Sequence, residues 1–200
     1  MKRKHKTVTS ASHLFLVILY IFILVSCTKM YIGAERNEAA GLNGSFEIAD
    51  GGYSVNWFYN APPLKEGSAQ IVMDSTVVMD GRRSLKIIAG TVKESDRVWM
   101  KPGLFTRIPV VPGKKYRLSF GARNRGGAFY ARWVSVSANA KQHLRSSFVV
   151  RTADSFTNWK VFSDTLRIKE RERAILLEFI LTQSGSLWID RVMFEELYKD

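Results

Sequence analysis

Aromatic side chains in two short stretches are the first candidates for ligand chemistry in this sequence. Trp57 and Tyr59 lie in a stretch flanked by Gly and Pro residues, and Trp99 lies in a second predicted loop or strand edge. Exposed aromatic rings can stack on the apolar faces of sugar rings, so we expect all three to be candidate ligand-binding residues. Because tryptophan is usually largely buried, the alternative is that these rings belong to the core.

Two arginines and a tyrosine are the polar candidates for the same site. The stretch Tyr116–Arg123 alternates between apolar and polar residues, which places Arg117 and Arg123 on one face of a strand. The next predicted strand, Ala128–Ser137, carries Tyr130, but both of its faces hold large rings and the sequence leaves open which is inward. Since arginine binds carboxylates through two parallel hydrogen bonds, such a sheet could accept the carboxylate of a uronic acid.

A glutamate in a later strand offers an alternative role for the arginines. Glu178 belongs to the outer set of the predicted strand Ala174–Thr182, and Arg132 shares its strand face with Tyr130. We expect Glu178 to meet one of the arginines. A solvated sheet face with Arg–Glu pairs is therefore the alternative to a ligand site.

Groups suited to acid–base or nucleophilic catalysis are scarce. His143 is the one histidine beyond residue 26, so no histidine cluster and no Ser-His-Asp set is legible. No glycine-rich phosphate loop and no metal-ligand spacing is present. We therefore expect no enzymatic activity. Paired carboxylates of the glycosidase type, which no spacing marks, are the remaining alternative.

The N-terminus combines a basic head, an apolar run and the only cysteine of the chain. The apolar run, Leu14–Val25, has 12 residues, whereas a spanning helix needs about 20, so we expect a signal-peptide helix. The sequence Leu24-Val25-Ser26-Cys27 resembles the lipobox of bacterial lipoproteins. The resemblance implies cleavage before Cys27, acylation of Cys27 and anchoring to a membrane of the bacterial cell envelope. The alternative is an uncleaved signal anchor with an incidental thiol.

These features divide the chain into a signal peptide (1–26), a lipidated cysteine with a flexible tether (27–41) and one domain (42–200). Residues 1–26 carry four of the 30 lysines and arginines and none of the 18 acids, which leaves +8 of the formal charge of +12 on the rest. That excess favours anionic partners such as acidic polysaccharide or lipid phosphate. The alternative is a basic, soluble surface without a specific partner, and export argues against nucleic acid.

Short apolar runs separated by turn residues indicate an all-β domain. Asp80-Gly81, Pro112-Gly113 and Ser184-Gly185 mark turns, and no long stretch has a helical period. The pattern predicts an antiparallel β-sandwich. The predicted strands are Gln70–Met73, Ser84–Ile88, Tyr116–Arg123, Ala128–Ser137, Phe148–Val150, Trp159–Phe162, Thr165–Ile168, Ala174–Thr182 and Ser186–Glu195.

Four segments occur in an order that carries a family resemblance. They are Leu42–Glu47, Asp80–Ile87, Val111–Phe120 and Gly185–Val192. Together they resemble jelly-roll carbohydrate-binding modules with a galactose-binding-domain-like fold, which occur beside xylanases and glucanases. The resemblance implies carbohydrate binding without catalysis. It also implies a structural calcium ion.

In such modules the calcium ligands come from the opening and closing motifs. The matching positions in this chain are Glu47 and Asp190. The alternative is that these two acids pair with a lysine or arginine or face water, because Ca²⁺ takes about 6–8 oxygen ligands and only two are named.

Three hypotheses about function follow. The first is a membrane-anchored lipoprotein whose β-sandwich binds carbohydrate, including acidic polysaccharide. The second is a structural or assembly lipoprotein that contacts another cell-envelope protein through an apolar patch. The third is a glycan-cleaving enzyme with two facing acids in a cleft.

Overall fold

The computed structural model describes residues 31–33, 36–61, 69–92, 101–138 and 142–198. One 3₁₀ turn, Glu38–Ala40, accompanies the strands. The strands are β1 (Tyr31–Ile32), β2 (Ala49–Asp50), β3 (Tyr53–Ser54), β4 (Phe58–Asn60), β5 (Gln70–Asp74), β6 (Ser84–Ala89), β7 (Gly103–Pro109), β8 (Lys115–Arg125), β9 (Phe129–Val136), β10 (His143–Thr152), β11 (Phe156–Arg167), β12 (Ala174–Leu181) and β13 (Gly185–Leu197). Within the described ranges no helix has the length and hydrophobicity to cross a membrane.

Two antiparallel sheets form a β-sandwich. The six-stranded sheet has the order β1-β4-β7-β12-β9-β10, and the five-stranded sheet has the order β11-β8-β13-β6-β5. A small β2-β3 ribbon completes the described strands. From β7 to β13 the chain passes repeatedly from one sheet to the other. The two packed antiparallel sheets confirm the predicted all-β sandwich.

The core lies between the two sheets and follows the alternation of the strands. On β8 the inward set includes Leu118 and Phe120, while Arg117 on the same strand is exposed. On β12 Leu177 and Phe179 enter the same core. The open question on β9 is also answered, because Phe129, Ala131 and Trp133 face the core and Tyr130 lies on the opposite face.

Three parts of the strand prediction were wrong. The predicted strands Trp159–Phe162 and Thr165–Ile168 belong to one continuous strand, β11, because Ser163 and Asp164 between them also pair with β8. The Pro- and Gly-bounded β7 was missed, yet it pairs with both β4 and β12. The short β1 was also missed: it lies within the predicted tether and pairs with β4.

Candidate functional site

Trp57 and Tyr59 are core residues, which corrects their prediction as ligand-binding residues. Trp57 is 0% exposed, and its indole N–H donates to the carbonyls of Leu42 and Asn43 at 3.0 and 3.2 Å. Tyr59 is 2% exposed, and its hydroxyl accepts the backbone N–H of Ser54 at 2.7 Å. Burial raises the pKa of Tyr59 to about 12. Neither ring has a face open to a sugar.

Arg117 and Arg123 lie on the outer face of the five-stranded sheet, far from the face that carries Tyr130. The Arg117 guanidinium forms an ion pair of 2.7 Å with Glu195. The Arg123 guanidinium carbon lies 5.5 Å from the centre of the Trp188 ring. Trp188 itself is 5% exposed. The structure therefore does not bring these two arginines together with Tyr130, and the prediction of one shared site was wrong. Trp99 and Cys27 lie outside the described residues.

The outer face of the six-stranded sheet instead carries a row of residues that we call the central row. The register of the strands sets Phe58 opposite Phe105, Phe105 opposite Glu178, Glu178 opposite Arg132, and Arg132 opposite Phe148. Antiparallel neighbours in such a row bring their Cβ atoms to within about 4.5–5.5 Å. An ion pair is therefore flanked on both sides by phenylalanine rings.

The Arg132–Glu178 pair is the polar centre of this row. The Arg132 Nε–H donates to Glu178 Oε2, and Glu178 is 5% exposed. Burial acts to lower the pKa of Arg132, but the hydrogen bond and the charge of Glu178 raise it overall. The expectation that Glu178 meets an arginine is confirmed. Both side chains are held in a fixed orientation with polar atoms left at the sheet face.

Tyr130 lies beside the pair and holds a buried polar atom. Its ring meets Phe148 edge-on, with centroids 5.3 Å apart, and the Arg132 guanidinium carbon lies 5.6 Å from its centre. Tyr130 is 7% exposed, and its hydroxyl finds no hydrogen-bond partner in the part of the chain that the structure describes. Burial raises the pKa of Tyr130. A buried hydroxyl of this kind is a strong candidate for a ligand or water contact.

Exposure changes along the central row in a way that suits an extended ligand. The end residues Phe58 and Phe148 are 37% and 50% exposed. The middle residues Phe105 and Glu178 are 9% and 5% exposed. The row is therefore recessed at its polar centre and has an open aromatic ring at each end.

Further arginines lie near both ends of the central row. Beside Phe58, a cavity of about 470 Å³ is lined by Arg107, Arg36 and Glu38, among others. Near the other end, Arg151 is opposite Tyr130 in the register, and its guanidinium carbon lies 6.0 Å from the Phe148 ring centre.

The phenylalanines of the row were missed by sequence reasoning. The strand alternation already placed Glu178 in an outward set and put Tyr130 and Arg132 on one shared face. It did not say that this face is outward or that the two strands are adjacent in one sheet. The signal for Phe58 was its position between Trp57 and Tyr59, because neighbours in a strand face opposite sides.

The two predicted calcium ligands meet at the same loop. Asp190 is 0% exposed and accepts the backbone N–H groups of Met79, Asp80 and Arg191 at 2.7–3.0 Å. Glu47 Oε1 accepts the N–H groups of residues 82 and 83 at 2.7 and 3.0 Å. The two carboxylates thus hold the loop through donors that do not suit a cation.

The positions of Glu47 and Asp190 near one loop concern the calcium prediction, but their hydrogen bonds do not test whether calcium binds. Among the described residues, no group of three or more His, Cys, Asp or Glu could hold a metal ion. Burial raises the pKa of Asp190, although its three N–H donors act in the opposite direction. A structural role for the pair is therefore clear from its hydrogen bonds, and calcium binding stays a prediction.

Comparison with known proteins bears on the fold. No family model and no curated protein sequence matches the chain. Among solved structures, the enzymatically active domain of bacteriophage CBA120 tailspike protein 4 matches with a TM-score of 0.60 and 15% identity over 78% of this chain and 21% of that chain. This chain thus spans about a fifth of the tailspike chain.

Two isolated modules match over nearly their whole length. The C-terminal family 22 carbohydrate-binding module of Clostridium thermocellum Xyn10B has a TM-score of 0.54 and 15% identity over 76% of this chain and 91% of that chain. The CBM22-1 xylan-binding domain of Paenibacillus barcinonensis Xyn10C has a TM-score of 0.56 and 12% identity over 78% of this chain and 94% of that chain. At these identities the likeness concerns the fold, and this chain has the jelly-roll β-sandwich fold of carbohydrate-binding modules.

Proposed function

We propose that this protein binds carbohydrate on the outer face of the six-stranded sheet, along the central row. The observation that carries the proposal is the Arg132–Glu178 ion pair, held between phenylalanine rings and next to the Tyr130 hydroxyl, which has no hydrogen-bond partner among the described residues. Binding sites for small ligands combine apolar and aromatic walls with a few fixed polar groups. The rings of Phe58 and Phe148 would pack against sugar faces, while the central polar atoms would bond to hydroxyl groups.

The fold likeness supports this proposal without identifying the ligand. The Paenibacillus structure is described as a xylan-binding domain, and the Clostridium structure concerns residues in a cleft and their part in ligand binding. A fold by itself does not fix function, so the proposal depends on the chemistry of the central row.

We infer that the site binds without catalysis. Glycoside hydrolases generally use two carboxyl groups that flank the scissile bond, about 5–9.5 Å apart. The central row contains one acid, Glu178, and its carboxylate is engaged by Arg132. A row with one acid therefore lacks the second carboxyl group that this mechanism requires.

Affinity electrophoresis of the purified protein in gels containing soluble glycans tests the binding proposal. At least one glycan should retard the protein, and Phe58→Ala and Phe148→Ala should each reduce retardation. Val161→Ala is the matched control, because Val161 is 63% exposed on the outer face of the other sheet. The proposal fails if no neutral or acidic glycan retards the protein, an outcome that favours contact with another envelope protein.

We also propose that acylated Cys27 anchors the domain to a membrane of the bacterial cell envelope. The proposal depends on the basic head, the 12-residue apolar run and the lipobox-like sequence that ends at Cys27. Several acyl chains on one residue give stable membrane attachment. Mass spectrometry of the exported product should find Cys27 as a modified N-terminal residue, and Cys27→Ser should release the protein from membranes. An unmodified Cys27 in the exported product would contradict the proposal.

A further inference from the structure

Positive charge is concentrated at the two ends of the central row. Arg107 is exposed and lies two residues beyond Phe105 on β7, so it is on the same sheet face. Arg151, on β10, is also exposed. It lies opposite Tyr130, which is two residues from Arg132 on β9 and therefore on the same sheet face. The strand spacing and residue rise place the two arginine backbones about 20 Å apart, a span that suits a chain of several sugar units.

At the Phe58 end the charge belongs to a cavity. Arg107 and Arg36 line the cavity of about 470 Å³ together with one acid, Glu38. Two guanidinium groups and one carboxylate leave an excess of one positive charge. A cavity with this lining favours an anionic group on any ligand that packs against the adjacent Phe58 ring.

At the Phe148 end the charge surrounds the Tyr130 hydroxyl. The charges of Arg132 and Arg151 both act to lower the pKa of Tyr130, whereas that of Glu178 acts to raise it. Two positive groups and one negative group thus lie within electrostatic range of a buried hydroxyl that has no partner in the described structure. A ligand carboxylate at this end of the row would therefore face a net positive field.

We propose that the ligand is an anionic glycan, with carboxylate groups of uronic acid residues bound at both ends of the central row. This inference rests on the proposed function, since it assigns the chemical class of the glycan bound there. The four arginines and two glutamates of the site sum to +2, so a polymer with repeated carboxylates matches both its length and its charge. Arginine suits the task because its planar guanidinium forms paired hydrogen bonds with a carboxylate.

Binding to matched pairs of polymers tests the inference. The probes are polygalacturonate, alginate and hyaluronan, each compared with its carboxyl-reduced, neutral form by affinity electrophoresis and isothermal titration calorimetry. At least one charged polymer should bind tenfold or more tightly than its neutral form, and raising the salt concentration should weaken that binding. Unsubstituted xylan and β-glucan serve as additional neutral probes.

Two single substitutions locate the effect. Arg107→Gln and Arg151→Gln should each weaken binding of the charged polymer about tenfold, the loss typical of one charged hydrogen bond, and flatten its salt dependence. Arg125→Gln removes the same charge from an exposed residue of the five-stranded sheet and should leave affinity unchanged. Circular dichroism and thermal melting confirm that the variants fold.

The outcomes distinguish failure of the anionic-glycan inference from failure of the proposed carbohydrate binding. Equal binding of charged and neutral forms, or binding of neutral glycans alone, overturns the inference while leaving the proposed carbohydrate site in place. Equal losses for Arg125→Gln and for the two site variants also overturn it, because the attraction would then come from overall charge. Failure of every glycan to bind contradicts the proposed function itself.

Discussion

Trp57 and Phe58 are adjacent in the chain, yet only one of them is available to a ligand. Trp57 is fully buried, whereas Phe58 is 37% exposed on the outer face of the six-stranded sheet. The sequence places both in one aromatic stretch, and nothing local says which side of the strand faces the core. That choice depends on the packing of the core, in which the Phe46 ring lies tilted against Trp57 with centroids 5.1 Å apart.

The two residues should therefore respond in opposite ways to truncation. Trp57→Ala should destabilise the fold by about 3–5 kcal/mol, because it leaves a large cavity in the core. Phe58→Ala should change stability by about 1 kcal/mol or less while weakening glycan binding. Urea denaturation and affinity electrophoresis measure the two effects. Similar loss of stability in both variants would show that the assignment of faces is wrong.

Asp74 gives a residue-scale prediction about pH. Burial raises the pKa of this carboxyl, but hydrogen bonds from the Thr76 hydroxyl and the Trp188 indole, with further backbone donors, outweigh it and bring the pKa to about 2. A lowered folded-state pKa stabilises the protein above the unfolded value of 3.8, and this stabilisation is lost as the pH falls towards 2.

Asp74→Asn should consequently be less stable than the wild type at pH 7, and the gap should narrow between pH 4 and pH 2. Urea denaturation across this range measures the difference in unfolding free energy. A gap that stays constant with pH would show that ionisation of Asp74 is not the source of the stabilisation.

At the scale of elements, alternation predicted the long strands but not their neighbours. The two faces of β8, β9 and β12 follow from the sequence, because each strand alternates over eight or more residues, but on β9 both faces carry large rings and the sequence did not say which is inward. The short β4 and the Pro-bounded β7 gave no comparable signal, although they supply Phe58 and Phe105. The central row depends on the pairing of five strands, and pairing between distant segments is set by the packing of the whole sandwich.

The loop between β5 and β6 is an element whose geometry can be tested directly. Gly81 has φ of 69°, and a Cβ added there would lie 2.6 Å from Glu47 Oε1. Gly81→Ala should therefore cost the strain of a left-handed alanine, about 1–2 kcal/mol, and also disturb the Glu47 hydrogen bonds. Gly113→Ala is the matched control, since Gly113 has φ of 81° and open space around its Cβ position. Equal losses of stability in the two variants would show that the Glu47 hydrogen bonds do not contribute to the stability of this loop.

The same loop tests the calcium prediction. If calcium binds as the family resemblance implies, Ca²⁺ should raise the melting temperature of the wild type relative to EDTA, and Glu47→Gln or Asp190→Asn should abolish the rise. A melting temperature that Ca²⁺ leaves unchanged would contradict the calcium prediction and leave the N–H groups as the partners of Asp190 and Glu47. Differential scanning fluorimetry distinguishes the two results.

At the scale of the whole molecule, the two sheets present outer faces of different character. The five-stranded sheet carries Arg117 paired with Glu195 and Arg123 packed on Trp188, so these two arginines have partners within the fold. The six-stranded sheet carries the central row, with exposed aromatic rings and a buried hydroxyl that lacks a partner in the described structure. The formal charge of the chain left open an anionic partner or a basic surface without a specific partner. It could not say which face would meet an anion, since that depends on how the strands are assembled.

Mapping a bound glycan by NMR is the most direct test of this account. Titration of the isotope-labelled protein with a glycan that retards it should shift the backbone amide signals of β4, β7, β12, β9 and β10, with the largest changes near Arg132, Tyr130 and Phe148. Signals of β11 and of the outward residues of β8 should remain in place. Shifts concentrated on β8, β11 and β13 would contradict the account, because they would move the binding surface to the opposite sheet.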